Sequence, residues 1–250
     1  DADAIAKDTN KSVSQLATAS PEALKLYLEA YRFFERYELE RSIPLFRKAI
    51  EIDPEFAVVH ATLAWAYHHT GRRREWMEHM EKAFSLADRM PEKDRLGIEN
   101  SYYLQWEETY DKSLAAAYKL LELDPEAIGI YINIQTAYMF LREWEKVILA
   151  SEEYFKQGGR HPYGYTNCAL AYIRLGFNEV ARGTLQEYFK IDPQNPIALE
   201  LYAQTFVNEA RYDLALAEWE KLPADYRATR RAVKQARDIH ILMGDHEAAK

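Results

Sequence analysis

The side chains able to do chemistry are few and lie far apart in the chain. There are seven histidines: His60, His68, His69, His79, His161, His240 and His246. Glu75 and His79 share a helix face at four-residue spacing, but no His-Glu-x-x-His pair stands in the sequence to complete a zinc site. His68 and His69 are adjacent, so on a helix their rings diverge. The single cysteine, Cys168, sits beside Ala169 in an apolar stretch, which reads as a buried and unreactive thiol and excludes an intrachain disulfide. No glycine-rich loop is laid out to cradle a phosphate; Gly158-Gly159 runs into Arg160-His161-Pro162, which reads as a turn. Arg72-Arg73-Arg74 and Arg230-Arg231 are short basic runs of the kind found on solvated faces and helix ends. The sequence therefore offers no catalytic, cofactor-binding or metal-ligating set, and the expectation is a protein that is not an enzyme.

The elements that carry these residues are helices. Of 250 residues 48% are hydrophobic and 13% aromatic, too much apolar surface for a disordered chain. No run of about 18 apolar residues is present, so no membrane insertion is expected in this segment. The formal charge of −8 disfavours nucleic acid as a partner, because sequence-independent binding needs Lys and Arg to neutralise phosphates. Only nine glycines and nine prolines punctuate the chain, and a sheet-rich fold would need more of both at its turns.

That sparse punctuation is periodic. Asp-Pro occurs at Asp53-Pro54, Asp124-Pro125 and Asp192-Pro193, with the prolines 71 and 68 residues apart. Gly71, Gly176 and Gly244 are 105 and 68 residues apart. Both series fit one period of 34 residues with a single three-residue insertion, placed naturally at Pro91-Glu92-Lys93. Segments such as residues 24–36 and 41–52 carry apolar residues at three- and four-residue intervals, as amphipathic helices do. The glycines fall where the first helix of a pair must end in a left-handed turn, and Asp-Pro falls where the second must stop.

With repeats beginning at 23, 57, 94, 128, 162, 196 and 230, the eighth place is small in Ala30, Ala64, Ser101, Ala169 and Ala203. The eleventh place holds a ring in Phe33, Tyr67, Tyr138, Tyr172 and Phe206, and the twentieth is small in Ser42, Ser113, Ala181, Ala215 and Ala249. Trp76 and Gln135 depart from the pattern, so looser or rotated packing is expected around the second and fourth repeats. Period and pattern resemble the tetratricopeptide repeat family from Pro21 to Lys250. The resemblance implies an all-α fold: a right-handed superhelical solenoid of antiparallel helix pairs, with about six complete repeats and a partial seventh. Residues 1–20 read as a linker or short helix, with Ser20 as N-cap and Pro21 at the first helical position. The array then runs over residues 21–250, in repeats near 23–56, 57–90, 94–127, 128–161, 162–195, 196–229 and 230–250. The stretch from Ala17 onward also resembles the repeat regions of bacterial multidomain signalling proteins. Without a disulfide or a leader the segment fits the cytoplasm, and an upstream membrane segment would place it outside.

What the resemblance implies about function is a scaffold that holds a protein or peptide on a concave face, lined by the second, fifth, ninth, twelfth and thirteenth places of the first helices. In the first repeat these places bring forward Tyr27, Tyr31 and Phe34, and in the second Trp65, His68 and His69. The third adds Arg95, Tyr102, Gln105 and Trp106, and the fourth adds Phe140. Aromatic side chains and Arg are the usual anchors of protein interfaces, although rings on helices also bury against their neighbours. Tyr27, Tyr31, Phe34, Trp65, His69, Tyr102, Trp106 and Phe140 are thus the expected partner-binding groove. The fifth places read Tyr27, Ala61, Ile98, Ile132, Thr166, Glu200 and Lys234, so the converging Lys and Asn that would grip a terminal carboxylate are missing from the first repeats. A second reading makes the array the regulatory or sensor module of a larger signalling enzyme or transcription regulator, and self-association into a homo-oligomer is a third.

Overall fold

In the computed structural model the described residues are 18–36 and 38–245, and every regular element among them is helical. Residues 1–17 of the expected linker or short helix over 1–20, and the small residue Ala249, lie outside them. The chain divides into two compact units at Glu126/Ala127. The first holds α1 (Pro21–Glu35), α2 (Leu39–Ile52), α3 (Ala57–His69), α4 (Arg73–Ser85), α5 (Glu92–Tyr103) and α6 (Tyr110–Leu123). The second holds α7 (Ile130–Phe140), α8 (Trp144–Lys156), α9 (Pro162–Arg174), α10 (Asn178–Phe189), α11 (Pro196–Asn208), α12 (Tyr212–Trp219), the short α13 (Ala224–Arg227) and α14 (Arg230–Leu242). Successive helices pack on one another in each unit, α1 on α2 and α3 on α4 in the first, α7 on α8 and α9 on α10 in the second.

Local chemistry fixes where the helices start and stop. Ser20 Oγ accepts from the Ala23 N–H at 3.2 Å ahead of Pro21, and Asn195 Oδ1 accepts from the Ala198 N–H at 3.1 Å ahead of Pro196. The three Asp-Pro dipeptides share one device: the carboxylates of Asp53, Asp124 and Asp192 accept the backbone N–H two residues on, at 3.1, 3.3 and 3.1 Å. Each aspartate thus folds the chain into an Asx turn while its proline bars further helix. Gly71, Gly176 and Gly244 take positive φ of 73°, 86° and 79°, as their spacing predicts. At the same place in the fourth and sixth repeats stand Arg142 and Ala210, with φ of 59° and 56°. The left-handed turn therefore recurs where glycine does not.

Packing follows the repeat. The eighth and twentieth places are fully or nearly buried in the first six repeats, including the two misfits. Trp76 is accommodated beneath the His68 ring, 4.9 Å away. Gln135 is completely buried, and its Oε1 accepts from Asn167 Nδ2 at 3.2 Å. Within the second unit a third and a tenth place face the preceding repeat: Gly164 lies against the Tyr154 ring of α8, and Ile239 packs with Phe206 and Ala215. In the first repeat these two places are Lys25 and Arg32, both exposed. The largest core fills the first unit around Phe46, Phe56, Leu63 and Met80, all buried.

Candidate partner-binding surface

The first unit places its expected groove residues on α1, α3 and α5, the first helices of three successive repeats, except Trp106, which lies in the turn after α5. On α1 the aromatic residues at the fifth, ninth and twelfth places recur every three or four residues, so their rings run along one face. Tyr27, Tyr31 and Phe34 form a continuous series with ring centroids 5.6 and 6.0 Å apart. Its members are not equivalent. Tyr27 is only 3% exposed and packs on Phe46 of α2 and on Phe56, so it forms the floor. Burial pushes its hydroxyl well above the ordinary tyrosine range, an effect partly offset by Thr62 of α3. Tyr31 and Phe34 are half-buried and pack against the core from outside.

On α3, Trp65 is half-buried and lies nearly parallel to the exposed His69 ring at 6.0 Å. On α5, Tyr102 stacks flat on Phe84 of α4, with centroids 3.9 Å and planes 9° apart, while Trp106, in the turn after α5, sits 4.8 Å from Tyr102. Both Tyr102 and Trp106 stay half-buried. These rings combine exposed apolar area with fixed geometry, because each is braced by another ring. Phe140 is 54% exposed at the end of α7 and belongs to the second unit.

Toward the C-terminus the corresponding places change character. Thr166 and Glu200 are buried, at 4% each, and Arg174 lies over the Trp144 ring at 5.9 Å. Asn208 bridges Asn178 and Gln204, at 3.0 and 2.9 Å. The second unit thus ties up several of its polar first-helix side chains internally.

Two residues that matter to the first unit lie outside the places that the repeat pattern points to. Asp94, at the first place of the third repeat, is near enough to raise the hydroxyl pKa values of both Tyr27 and Tyr31. Thr62, at the sixth place of the second repeat, acts the other way on Tyr27, and its Oγ1 donates to the Val58 carbonyl at 2.8 Å. The hydropathy pattern could not flag either one, since the period marks apolar places.

The chemistry-bearing residues resolve into structure. His60 is 5% exposed; its Nε2 meets the Pro54 carbonyl at 3.1 Å and its Nδ1 meets His79 Nδ1 at 3.0 Å. Burial first, and the neighbouring His79 ring as well, lower the His60 pKa to about 4 despite the Pro54 carbonyl. This pair is an interhelical bond inside the second repeat. Burial pushes the Cys168 thiol up to about 11, far from a reactive thiolate. Among the described residues no three His, Cys, Asp or Glu side chains converge on a cation, and no helix is long and apolar enough to cross a membrane.

A profile of the tetratricopeptide repeat family matches residues 45–77, which run from α2 through α3 into α4. No curated protein matches the sequence. The fold has clear relatives among solved structures. PilW, described as a widely conserved type IV pilus biogenesis factor, is similar over 87% of this chain and 99% of its own, at 14% identity and a TM-score of 0.66. A chain of the anaphase-promoting complex hetero-tetramer Cut9–Hcn1 is similar over 94% of this chain at 11% identity and a TM-score of 0.71, and the similarity spans 45% of that chain. A tetratricopeptide repeat protein from Parabacteroides merdae is similar over 92% and 90%, at 14% identity and a TM-score of 0.59. The fold is tetratricopeptide-like. At these identities the likeness carries the stacking of helix pairs and nothing about partners. Tetratricopeptide-like folds generally mediate contacts between proteins.

Proposed function

We propose that the chain is a non-catalytic interaction scaffold, and that the first-helix face of its N-terminal unit holds a protein or peptide. One observation carries this reading: Tyr31, Phe34, Trp65 and Tyr102, from first helices of three repeats, and Trp106, in the turn after α5, are all half-buried and braced by other rings. Side chains of this kind lose little conformational freedom on binding and offer large apolar faces, as interface anchors do. His69 forms the polar margin beside Trp65, and Tyr27 supports the surface from beneath. Phe140 is proposed as an anchor of the second unit in its own right.

The test replaces Trp65 and Tyr102 with alanine. Proteins retained from the native source by the wild-type chain and by the double variant are compared by quantitative mass spectrometry, after circular dichroism has shown equal helicity. The reading expects at least one retained protein to fall about tenfold or more with the variant, the loss of two anchors being worth about 2 kcal/mol or more. Equal retention by two equally helical chains would remove the surface from consideration.

A further inference from the structure

Residues 227–237 carry Arg227, Arg230, Arg231, Lys234 and Arg237 and no Asp or Glu, in a chain whose formal charge is −8. No other stretch of that length is as positive. The helix α14 sets much of this charge on one side. Val233, Lys234, Arg237 and Ile241 fall three, four, seven and eleven residues beyond Arg230, so the five share a helix face, and all are exposed. Ala232 and Ile239, on the other side, are buried. Val233 and Ile241 stay about half exposed among the cations and offer a partner apolar area beside the charge.

The second unit does little to offset that charge. Asp238 Oδ2 stands 4.0 Å from Lys234 Nζ, and its Oδ1 stands 3.9 Å from the Arg237 guanidinium. Both distances are long for an ion pair, and exposed pairs contribute little even at closer range. Arg227 of α13 lies over the Trp219 ring at 5.9 Å, and its enclosed Nε has no acceptor among the described residues.

The repeat register distinguishes this face from an ordinary packing face. The eighth place is buried in each of the first six repeats, as Ala30, Ala64, Ser101, Gln135, Ala169 and Ala203. In the seventh it is Arg237, and exposed. A guanidinium there bars the close approach that small residues allow between helices, so α14 suits a different neighbour. We infer that α14 docks an acidic amphipathic helix of another protein. Asp and Glu of that helix, at three- and four-residue spacing, meet Arg230, Lys234 and Arg237, while its apolar residues cover Val233 and Ile241. The site belongs to the second unit and does not depend on the aromatic face of the first.

The experiment pans a phage-displayed library of helical peptides, as long as the thirteen residues of α14, on the full chain and on Lys234→Glu/Arg237→Glu. Thermal melts establish that the variant is folded; should it melt early, Lys234→Gln/Arg237→Gln carries the same comparison. The expected result on the wild type is enrichment of Asp and Glu at three- and four-residue spacing beside Leu, Ile or Val. Those peptides, synthesised and titrated by fluorescence anisotropy, lose affinity about tenfold or more on the charge-reversed variant and several-fold with added salt. On that variant Lys- and Arg-bearing helices take their place, a reversal that a merely unfolded α14 does not produce. A library without enrichment, acidic peptides that bind both proteins alike, or scrambled peptides that bind as well as the originals overturn the inference. Phosphatidylserine vesicles that compete with the peptides as well as the peptides compete with one another also overturn it, by reducing the face to a general attraction for anions. Sedimentation across a concentration series examines the remaining occupant: self-association that Lys234→Glu/Arg237→Glu abolishes gives the face to a second copy of this chain and overturns the separate partner.

Discussion

Arg142 and Ala210 adopt the left-handed backbone that glycine takes elsewhere in the array, and both do so without help from their side-chain type. A Cβ in that region crowds the neighbouring carbonyl, a strain of about 1–2 kcal/mol that glycine escapes. Ala210→Gly should therefore stabilise the second unit by about 0.5–1 kcal/mol, after subtracting the extra freedom that glycine gives the unfolded chain. Urea denaturation of the two proteins side by side reads the difference, and a destabilised variant would contradict the argument. His60 makes the opposite kind of prediction, one that depends on pH. Its folded-state pKa is about 4 against an ordinary value of 6.5, so the native state binds fewer protons than the unfolded chain. Stability is complete above about pH 6.5 and is lost progressively as pH falls toward 4, by about 2–3 kcal/mol from this group. The depressed pKa of His79 adds in the same direction. His60→Gln keeps a donor for the Pro54 carbonyl and removes the titration. Its unfolding free energy should fall less between pH 7 and pH 4.5 than that of the wild type, and parallel curves would count against the pair.

At the scale of elements, contact between repeats depends on small residues at defined places. A Cβ built on Gly164 would lie 2.3 Å from the Tyr154 ring. That ring cannot easily withdraw: it is 2% exposed, and its hydroxyl accepts from the His161 N–H at 2.6 Å. Gly164→Ala should cost about 2 kcal/mol by overpacking the α8–α9 contact, measured as a lower urea midpoint with an unchanged slope. Gly183, in α10, has nothing within 4 Å of its Cβ position, so Gly183→Ala is the matching control and should be neutral or slightly stabilising. How far such elements could be read from sequence depended on the kind of signal. Second helices begin at Leu39, Arg73, Tyr110, Trp144, Asn178 and Tyr212, evenly spaced save for the shift at Pro91, because glycine and Asp-Pro punctuation follow directly from backbone chemistry. The aromatic face was legible only as a set of places. That Tyr27 is floor while Tyr31 is surface depends on Phe46 of α2 and on Phe56, just ahead of α3. Asp94 and Thr62 were invisible because polar residues leave no mark in a hydrophobic period. The Asn100–Ser113 lock, with Asn100 Nδ2 donating to the Ser113 Oγ and carbonyl at 2.9 Å each, was hidden for the same reason.

For the whole molecule, stability should be uneven along the chain, since each repeat leans on its neighbours and not on a common centre. The N-terminal unit concentrates its buried residues around Phe46, Phe56, Leu63 and Met80, whereas α14 buries Ala232 and Ile239 and leaves Val233, Ile241 and Leu242 about half exposed. Amide hydrogen exchange should be slowest in α2 and α3 and fastest, among the described helices, in α14, with protection differing by a factor of about 100 or more. Uniform protection across all helices would mean that the chain opens as one cooperative body.

The five left-handed residues at a single place, Gly71, Arg142, Gly176, Ala210 and Gly244, have a consequence for how such chains are recognised. A search that counts letters meets glycine, arginine, glycine, alanine, glycine and loses the beat at every other step. The rhythm is kept in torsion angles, a notation that the genetic text does not spell out. Duplicated units can then drift apart in spelling while the hinge that defines them goes on bending the same way.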